Sequence, residues 1–394
     1  MKKLTLLFLS ISFIFGLTAC GSQTADTGNT PDTGYQSNNT ADTTADAESE
    51  QIAKGTEQSG NAEESGDNIS NVDTYNIDAS IDPNQPTNGM LPSNPMKVAS
   101  LVYMTTDISP ESLMAVYEAL GVELTGDNIA VKLSTGEPPA SNYLDPDLIQ
   151  DLVQHVNGTI VECNTAYGGS RSETDMHYQV AEDHGFTEIA DFVIMDEDGS
   201  MVIPVEGGKQ LTENYVGARF GDFDGFLVLT HFKGHAMAGF GGAIKNISIG
   251  IASQEGKNLI HTAGKSHTSM SGGEQDAFLE SMADAAKSVT DYLDGNIIYI
   301  NVMNRLSIDC DCNGNPAEPD IHDIGILASR DPVALDQACV DLIYKAEGNE
   351  AFVNRMESLN AQHVLEAGAE IGLGMRNYVI VNVDQDDNSV QLLY

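Results

Sequence analysis

The sequence predicts an α/β fold: a mostly parallel sheet with helices on both faces, preceded by a disordered linker. Three observations predict it. From residue 96 onward, short apolar strand-like runs alternate with helix-like segments, the pattern of successive βα units. Gly225–Phe232 is almost continuously apolar, as expected of a strand covered on both faces of a parallel sheet. Residues 21–95 are instead rich in Thr, Ser, Asn, Gly, Asp and Glu, with little that could build a core.

The chain opens with Lys2 and Lys3, then an apolar run from Leu4 to Phe15 interrupted only by Thr5, Ser10 and Ser12. A positive start, a short apolar run and small residues before a cut site describe a secretory signal. The run is too short to span a bilayer comfortably, which takes about 20 apolar residues. Its ending, Leu17-Thr18-Ala19-Cys20, resembles the lipobox of bacterial lipoproteins. That resemblance implies cleavage before Cys20, a diacylglyceryl group on its sulfur and an extracytoplasmic, lipid-anchored protein. Two acyl chains hold a protein stably where one gives only marginal binding. Residues 21–95 carry thirteen acidic residues against the single Lys54. Such a segment buries too little apolar surface to offset its ordering entropy, and self-repulsion extends it into a tether.

The α/β domain is expected over residues 96–394. Val98–Met104 reads as a strand, followed by a helix with Ser109 as N-cap and Pro110 at its first position, stopped by Gly121. Asn128–Ser134 is a strand and Pro146–Val156 a helix with Leu148, Leu152, Val153 and Val156 on one face. Thr159–Cys163 is strand-like, and Ser172–His184 a helix closed by Gly185. Phe192–Met195 and Gly225–Phe232 are further strands. A Gly-rich stretch, Gly234–Gly250, precedes a long helix over Glu274–Leu293, then strands over Asn296–Val302 and Asp323–Ser329. Asp331-Pro332 starts a helix reaching about Glu347; a final helix and the strand Tyr378–Val383 end the domain.

Charge excludes some partners. With the signal at +2 and the linker at −12, residues 96–394 carry −31 of the chain's −41. Phosphate backbones need Lys and Arg, so nucleic acid is not an expected partner, and neither are anionic lipid head groups. With Cys20 assigned to the lipid, Cys163, Cys310, Cys312 and Cys339 remain, and their three pairings are indistinguishable from sequence. Cys339, at core spacing in its helix, reads as a buried thiol.

Three loops after predicted strands could carry chemistry, because open α/β sheets place ligands at the carboxyl ends of strands. In the first, from Glu162 to Thr174, Arg171 is a rare cation that suits a carboxylate or phosphate, or a local acid such as Glu173. In the second, His231 to Asn246, the backbone of Gly241 and Gly242 permits close approach of a ligand, while Lys233, Lys245 and Asn246 supply charge and hydrogen bonds. His231 and His235 have chelating spacing only on a helix, which Gly234 opposes. In the third, Asp309-Cys310-Asp311-Cys312, an extended chain would point both thiols to one side and Asp309 and Asp311 to the other. Two thiolates with a nearby His suit iron or zinc; a disulfide is the equal alternative. His261 and His267 read as loop residues, either of which would complete a site with His235.

The stretches "FKGHAMAGFGGAIKNISIGIAS", "GKNLIH", "IDCDCNGNPAEPDIHDIGILASRDPVALDQACVDLI" and, more weakly, "GSRSETDMHYQVAEDHGF" resemble the domain-of-unknown-function 362 family over roughly residues 96–384. The family has no general assigned reaction. Many members are described as iron–sulfur centre proteins with a ferredoxin-like insert before the Cys-Asp-Cys element. Here the corresponding interval, His267 to Asn296, holds no Cys, which argues against ferredoxin-type 4Fe–4S clusters. The positions matching the family pattern are Lys233, His235, Gly241, Gly242, Lys245, Asn246, His261, Cys310, Asp311 and Cys312. The expected function is therefore a membrane-anchored, metal-dependent and redox-capable domain: Cys310, Cys312 and His235 or His261 hold iron or zinc, and Lys233, Lys245, Asn246, Arg171 and the glycines hold an anionic small molecule. The alternative is a non-catalytic, small-ligand-binding lipoprotein with a structural or disulfide-bonded Cys-Asp-Cys element; a protein-interaction module on a tether is a third reading.

Overall fold

A computed structural model describes residues 99–384 and 390–391; the signal segment, Cys20 and the linker lie outside them. In chain order the first half comprises β1 (Ser100–Thr105), α1 (Pro110–Ala119), β2 (Ile129–Lys132), α2 (Pro146–His155), β3 (Gly158–Glu162), α3 (Thr174–Asp183), the single-turn α4 (Phe186–Ile189), β4 (Phe192–Ile194), β5 (Ser200–Pro204) and β6 (Glu213–Gly217). The second comprises β7 (Gly225–His231), β8 (Lys233–His235), β9 (Gly239–Gly241), α5 (Ala243–Ser248), α6 (Gln254–His261), α7 (Gln275–Tyr292), β10 (Ile297–Met303), β11 (Gly325–Ser329), α8 (Pro332–Lys345), α9 (Glu350–Ser358), α10 (His363–Glu370), β12 (Tyr378–Asn382) and β13 (Val390–Gln391). Among the described residues no helix is long and apolar enough to cross a membrane.

Local chemistry sets the helix boundaries. The Ser109 side chain accepts from the Ser112 N–H, and Asp145 and Asp331 cap α2 and α8, each ahead of a Pro at the first helical position. Gly121 and Gly185 follow α1 and α3 at φ +63° and +82°, left-handed conformations that a Cβ disfavours.

Nine strands form one sheet in the order β13-β12-β1-β11-β10-β7-β2-β3-β4. The run β10-β7-β2-β3-β4 is parallel throughout, and β12 is parallel to β1. β11 departs from the simple βα reading, lying antiparallel to both β1 and β10. Alternate side chains pack on opposite faces. Val131, Leu227, Leu229, Ile298 and Ile300 join Leu113, Val116, Ile149 and Leu152 of α1 and α2. Phe226, Val228, Ile297 and Tyr299 face a larger core with Ile244, Leu279, Met282, Ala338 and Val340 of α5, α7 and α8. Burial on both faces accounts for the nearly continuous apolar run of β7.

The Gly-rich stretch is more regular than its composition suggests. It holds the β8–β9 hairpin and α5, and after it α6 occupies a stretch read as loop. The β5–β6 hairpin also had no sequence expectation, and the single final helix is two, α9 and α10.

The chain builds outward from β2 through β3 to β4, then returns to place β7 on the other side of β2. The β2/β7 boundary is therefore the topological switch point, where the connections leave in opposite directions and a crevice opens at the carboxyl ends of the strands.

Candidate functional site

Asn246 of α5 sits across that crevice. Its Nδ2 donates to the carbonyl oxygens of Lys132 (3.3 Å) and Leu229 (3.2 Å) and to Thr230 Oγ1 (3.0 Å), tying the ends of β2 and β7 together. Its Oδ1 accepts from Lys132 Nζ at 3.1 Å. The cavity beside it is about 210 Å³ and is lined by all ten residues expected to form the site: Arg171, Lys233, His235, Gly241, Gly242, Lys245, Asn246, His261, Cys310 and Cys312. Lys132, Lys257, Glu162, His231 and Asp311 complete its charged lining. Five of the eighteen Lys and Arg residues in the whole chain therefore converge on one cavity of an acidic domain.

Most of this charge is locally committed. Lys233 Nζ lies 2.8 Å from Asp311 Oδ2. His231 Nδ1 lies 2.8 Å from Asp311 Oδ1 and its Nε2 lies 2.7 Å from the Asn304 carbonyl oxygen. Burial alone would raise the Asp311 carboxyl, but Lys233 and His231 outweigh it and hold it well below the usual range. The Cys-Asp-Cys element is a turn rather than an extended strand, so Asp311 does not face away from the cysteines but is buried in the same cavity.

Arg171 pairs with Glu137 and Glu162 rather than with Glu173. Its Nε lies 2.8 Å from Glu137 Oε2, its Nη1 3.4 Å from Glu162 Oε1, and its Nη2 donates to Tyr167 Oη at 3.0 Å. Glu162 also accepts from the Thr135 N–H at 2.9 Å and meets His177 Nε2 at 2.6 Å. Arg171 thus reaches the cavity wall with its donors largely engaged. Lys132 donates to Leu133 and Asn246, and Lys257 to the Ala252 carbonyl. Burial depresses Lys132 to about 8, with Glu162 opposing the shift.

Lys245 differs. Among the described residues its ammonium makes no hydrogen bond or ion pair, although it lines the cavity. Burial and the neighbouring Lys233 push its ammonium down to about 7. Gly242, just before α5, is fixed by packing: a Cβ there would lie 2.3 Å from Asp336 Oδ1. The Asp336 carboxylate accepts from the N–H groups of Ala243 (2.8 Å) and Ile244 (3.0 Å) and from Asn301 Nδ2 (2.8 Å), anchoring the start of α5. At Gly234 a Cβ would lie 2.3 Å from the Ile308 carbonyl, so the hairpin packs backbone to backbone against the Cys-Asp-Cys segment.

Of the two histidines read as loop residues, His261 corrects that reading and His267 keeps it. His261 is buried at the end of α6, donates from Nδ1 to the Lys257 carbonyl at 2.7 Å and stacks on Phe278. Burial holds it at about 4, so it is neutral with Nε2 as an acceptor. His267 is exposed and pairs with Glu255 at 3.0 Å. His235 accepts at Nδ1 from the N–H groups of Met237 (3.2 Å) and Ala238 (3.0 Å). Burial keeps it well below its usual value, so the neutral ring carries its proton on Nε2.

Potential donor atoms of His235, Cys310 and Cys312 lie within 4.8 Å of one another; His261 is outside that group. Two sulfurs and an imidazole suit zinc or iron. The structure nevertheless joins Cys310 and Cys312 in a disulfide, so the set fits a metal only in the dithiol form and after His235 gives up an acceptor role. A four-thiolate cluster does not fit among the described residues. Cys163, whose thiol burial pushes up, donates to the Ile251 carbonyl at 3.2 Å, and Cys339 is buried in α8 beside Asn301.

Sequence reading passed over Lys132, Lys257, Glu137, His177 and Asp336. Lys132 left a signal, a lysine ending the otherwise apolar strand Ile129–Lys132; Glu137, His177 and Asp336 acquire meaning only through partners distant in sequence.

No curated protein matches the chain. Among solved structures it is similar to the lactate racemase apoprotein from Thermoanaerobacterium thermosaccharolyticum, at 16% identity and a TM-score of 0.38, covering 61% of this chain and 56% of that one. A structural-genomics protein from Thermotoga maritima is similar at 13% identity and a TM-score of 0.35, covering 66% and 58%. The chain spans little more than half the length of each, and likeness this distant carries no argument about activity. The family described as Domain of unknown function (DUF362) matches residues 129–341, which include every residue of the cavity wall named above. That match covers more than half of the chain, and the protein belongs to the DUF362 family.

Proposed function

We propose that this protein is an exported, lipid-anchored lipoprotein whose α/β domain binds a small anionic molecule, with Cys310 and Cys312 as a metal- and redox-responsive pair at its edge. The observation that carries the reading is the concentration of cations: five of eighteen at the switch-point cavity of a domain of net charge −31. A cleft of one sign with low-dielectric walls focuses its field on a ligand of opposite sign. Lys245, without a protein partner, is the group a bound carboxylate or phosphate would satisfy.

The reduced pair with His235 would hold zinc or iron as a soft three-donor site; when bound, such a metal supplies Lewis-acid or electron-transfer chemistry. Zinc titration of the full chain in detergent, with and without a thiol reductant, tests this part. The account expects stoichiometric zinc only after reduction and none in a Cys310→Ser, Cys312→Ser variant. A reduced chain that takes no zinc removes the metal. What remains then is the second reading, a non-catalytic binding lipoprotein, which the observed disulfide favours. The anchor rests on the ending Leu17–Cys20. Labelled palmitate should enter the wild type and not Cys20→Ser; equal labelling would refute it.

A further inference from the structure

The cavity holds four cations committed to protein partners and a fifth that is not. Lys245 projects from the first turn of α5, and its stem lies beside that of Lys233: a Cβ on Gly241 would meet Lys245 Cδ at 3.5 Å and Lys233 Cε at 3.6 Å. Leaving a half-buried lysine unpaired in the wall of a cavity is unfavourable for an ammonium but suits an amine that must present a lone pair.

We propose that Lys245 is a nucleophilic amine that forms an imine with the carbonyl carbon of a small oxo acid bound in this cavity. The proposal rests on the anion-binding reading above, because the acid's carboxylate needs the local positive field of Lys233 and Lys132. Burial and Lys233, holding Lys245 near 7, leave a substantial fraction neutral at neutral pH, where an ordinary lysine of pKa about 10.4 is almost wholly protonated.

The step balances without an oxidant or reductant. The neutral amine adds to the carbonyl carbon, and the carbonyl oxygen gains a proton to give a carbinolamine. The nitrogen then loses its protons as the hydroxyl leaves as water, and the C=N bond forms. His261 lies within electrostatic reach of Lys245 and is held neutral by burial. His261 offers Nε2 as a proton acceptor.

The test treats the full chain in detergent with pyruvate, glyoxylate or 2-oxoglutarate, each followed by sodium borohydride, which reduces an imine to a stable secondary amine. Mass spectrometry of the proteolysed chain then locates the adduct. The proposal expects, with at least one of the three, an adduct on Lys245 at least tenfold above that on exposed lysines, absent in Lys245→Arg. Site selectivity within the wild type keeps the test decisive even if the variant folds poorly. Calorimetric titration with the same acids and with inorganic phosphate separates the two readings. Binding without a Lys245 adduct overturns the imine and leaves the anion site standing. If no anion binds and no adduct forms, both fall.

Discussion

Replacing Arg171 by Leu leaves Glu137 and Glu162 buried on either side of an apolar side chain. The guanidinium lies 2.8 Å from Glu137 and 3.4 Å from Glu162, and both the Arg171 and Glu162 side chains are 5% exposed or less. His177 remains beside Glu162 at 2.6 Å, so the loss is partial there, while Glu137 keeps only the Ser170 N–H. Removing one partner from a buried pair costs about 3–5 kcal/mol, a large part of the roughly 5–15 kcal/mol that holds a domain folded. At about 2–4 °C per kcal/mol the melting temperature should fall on the order of 10 °C. The effect should depend on pH. Burial alone would raise the Glu162 carboxyl, but Arg171 and His177 outweigh it and hold it well below the usual range. Its contribution is therefore present above the unfolded value of about 4.3 and is lost as pH falls toward the depressed folded value. The gap between wild type and Arg171→Leu should accordingly narrow on acidification below about pH 4. Urea unfolding followed by far-ultraviolet circular dichroism measures it, the chain having no Trp to report by fluorescence. A Glu162→Gln, Arg171→Leu double variant should recover part of the loss. A single variant within about 1 kcal/mol of wild type at pH 7, with no change in the gap on acidification, would refute the reasoning.

Two further outcomes follow from the same wall. Asp336→Asn should cost about 1.5–3 kcal/mol, the worth of hydrogen bonds to a buried carboxylate, and should loosen α5, read as faster amide exchange at Ala243 and Ile244; unchanged exchange would count against the cap. Lys245→Met should stabilise the domain by on the order of 1 kcal/mol at pH 6. A depressed folded-state lysine disfavours the fold while protonated, and that penalty is relieved as pH rises from about 7 toward the unfolded value. The gain should therefore shrink by pH 9, and equal destabilisation at both pH values would contradict it.

Much of the fold was legible because burial on two faces writes an unmistakable pattern. Gly225–His231 and Ile297–Met303 are mostly apolar, the starts at Ser109-Pro110 and Asp331-Pro332 place two helices, and the apolar face of Pro146–Val156 places a third. β11 was legible as a strand but its direction was not, since strand orientation depends on where the connection returns rather than on residue type. Helix α5 and the β8–β9 hairpin hid in a Gly-rich stretch because their stability comes from Asp336 and from backbone packing against Ile308, contacts distant in sequence. The site divides the same way. Residues carrying a chemical signature, such as Lys233, His235, Cys310 and Cys312, could be named from the chain. The commitment of Arg171 to two acids and the absence of any partner for the Lys245 ammonium among the described residues exist only in three dimensions.

The central claim is that the switch-point cavity takes a small anion at Lys245. Calorimetric titration of the detergent-solubilised full chain with phosphate and with pyruvate tests it most directly. The account predicts saturable binding at one site, weakened at least tenfold in Lys245→Met while circular dichroism stays unchanged. A chain that binds neither anion, or binds them equally well without Lys245, would contradict it.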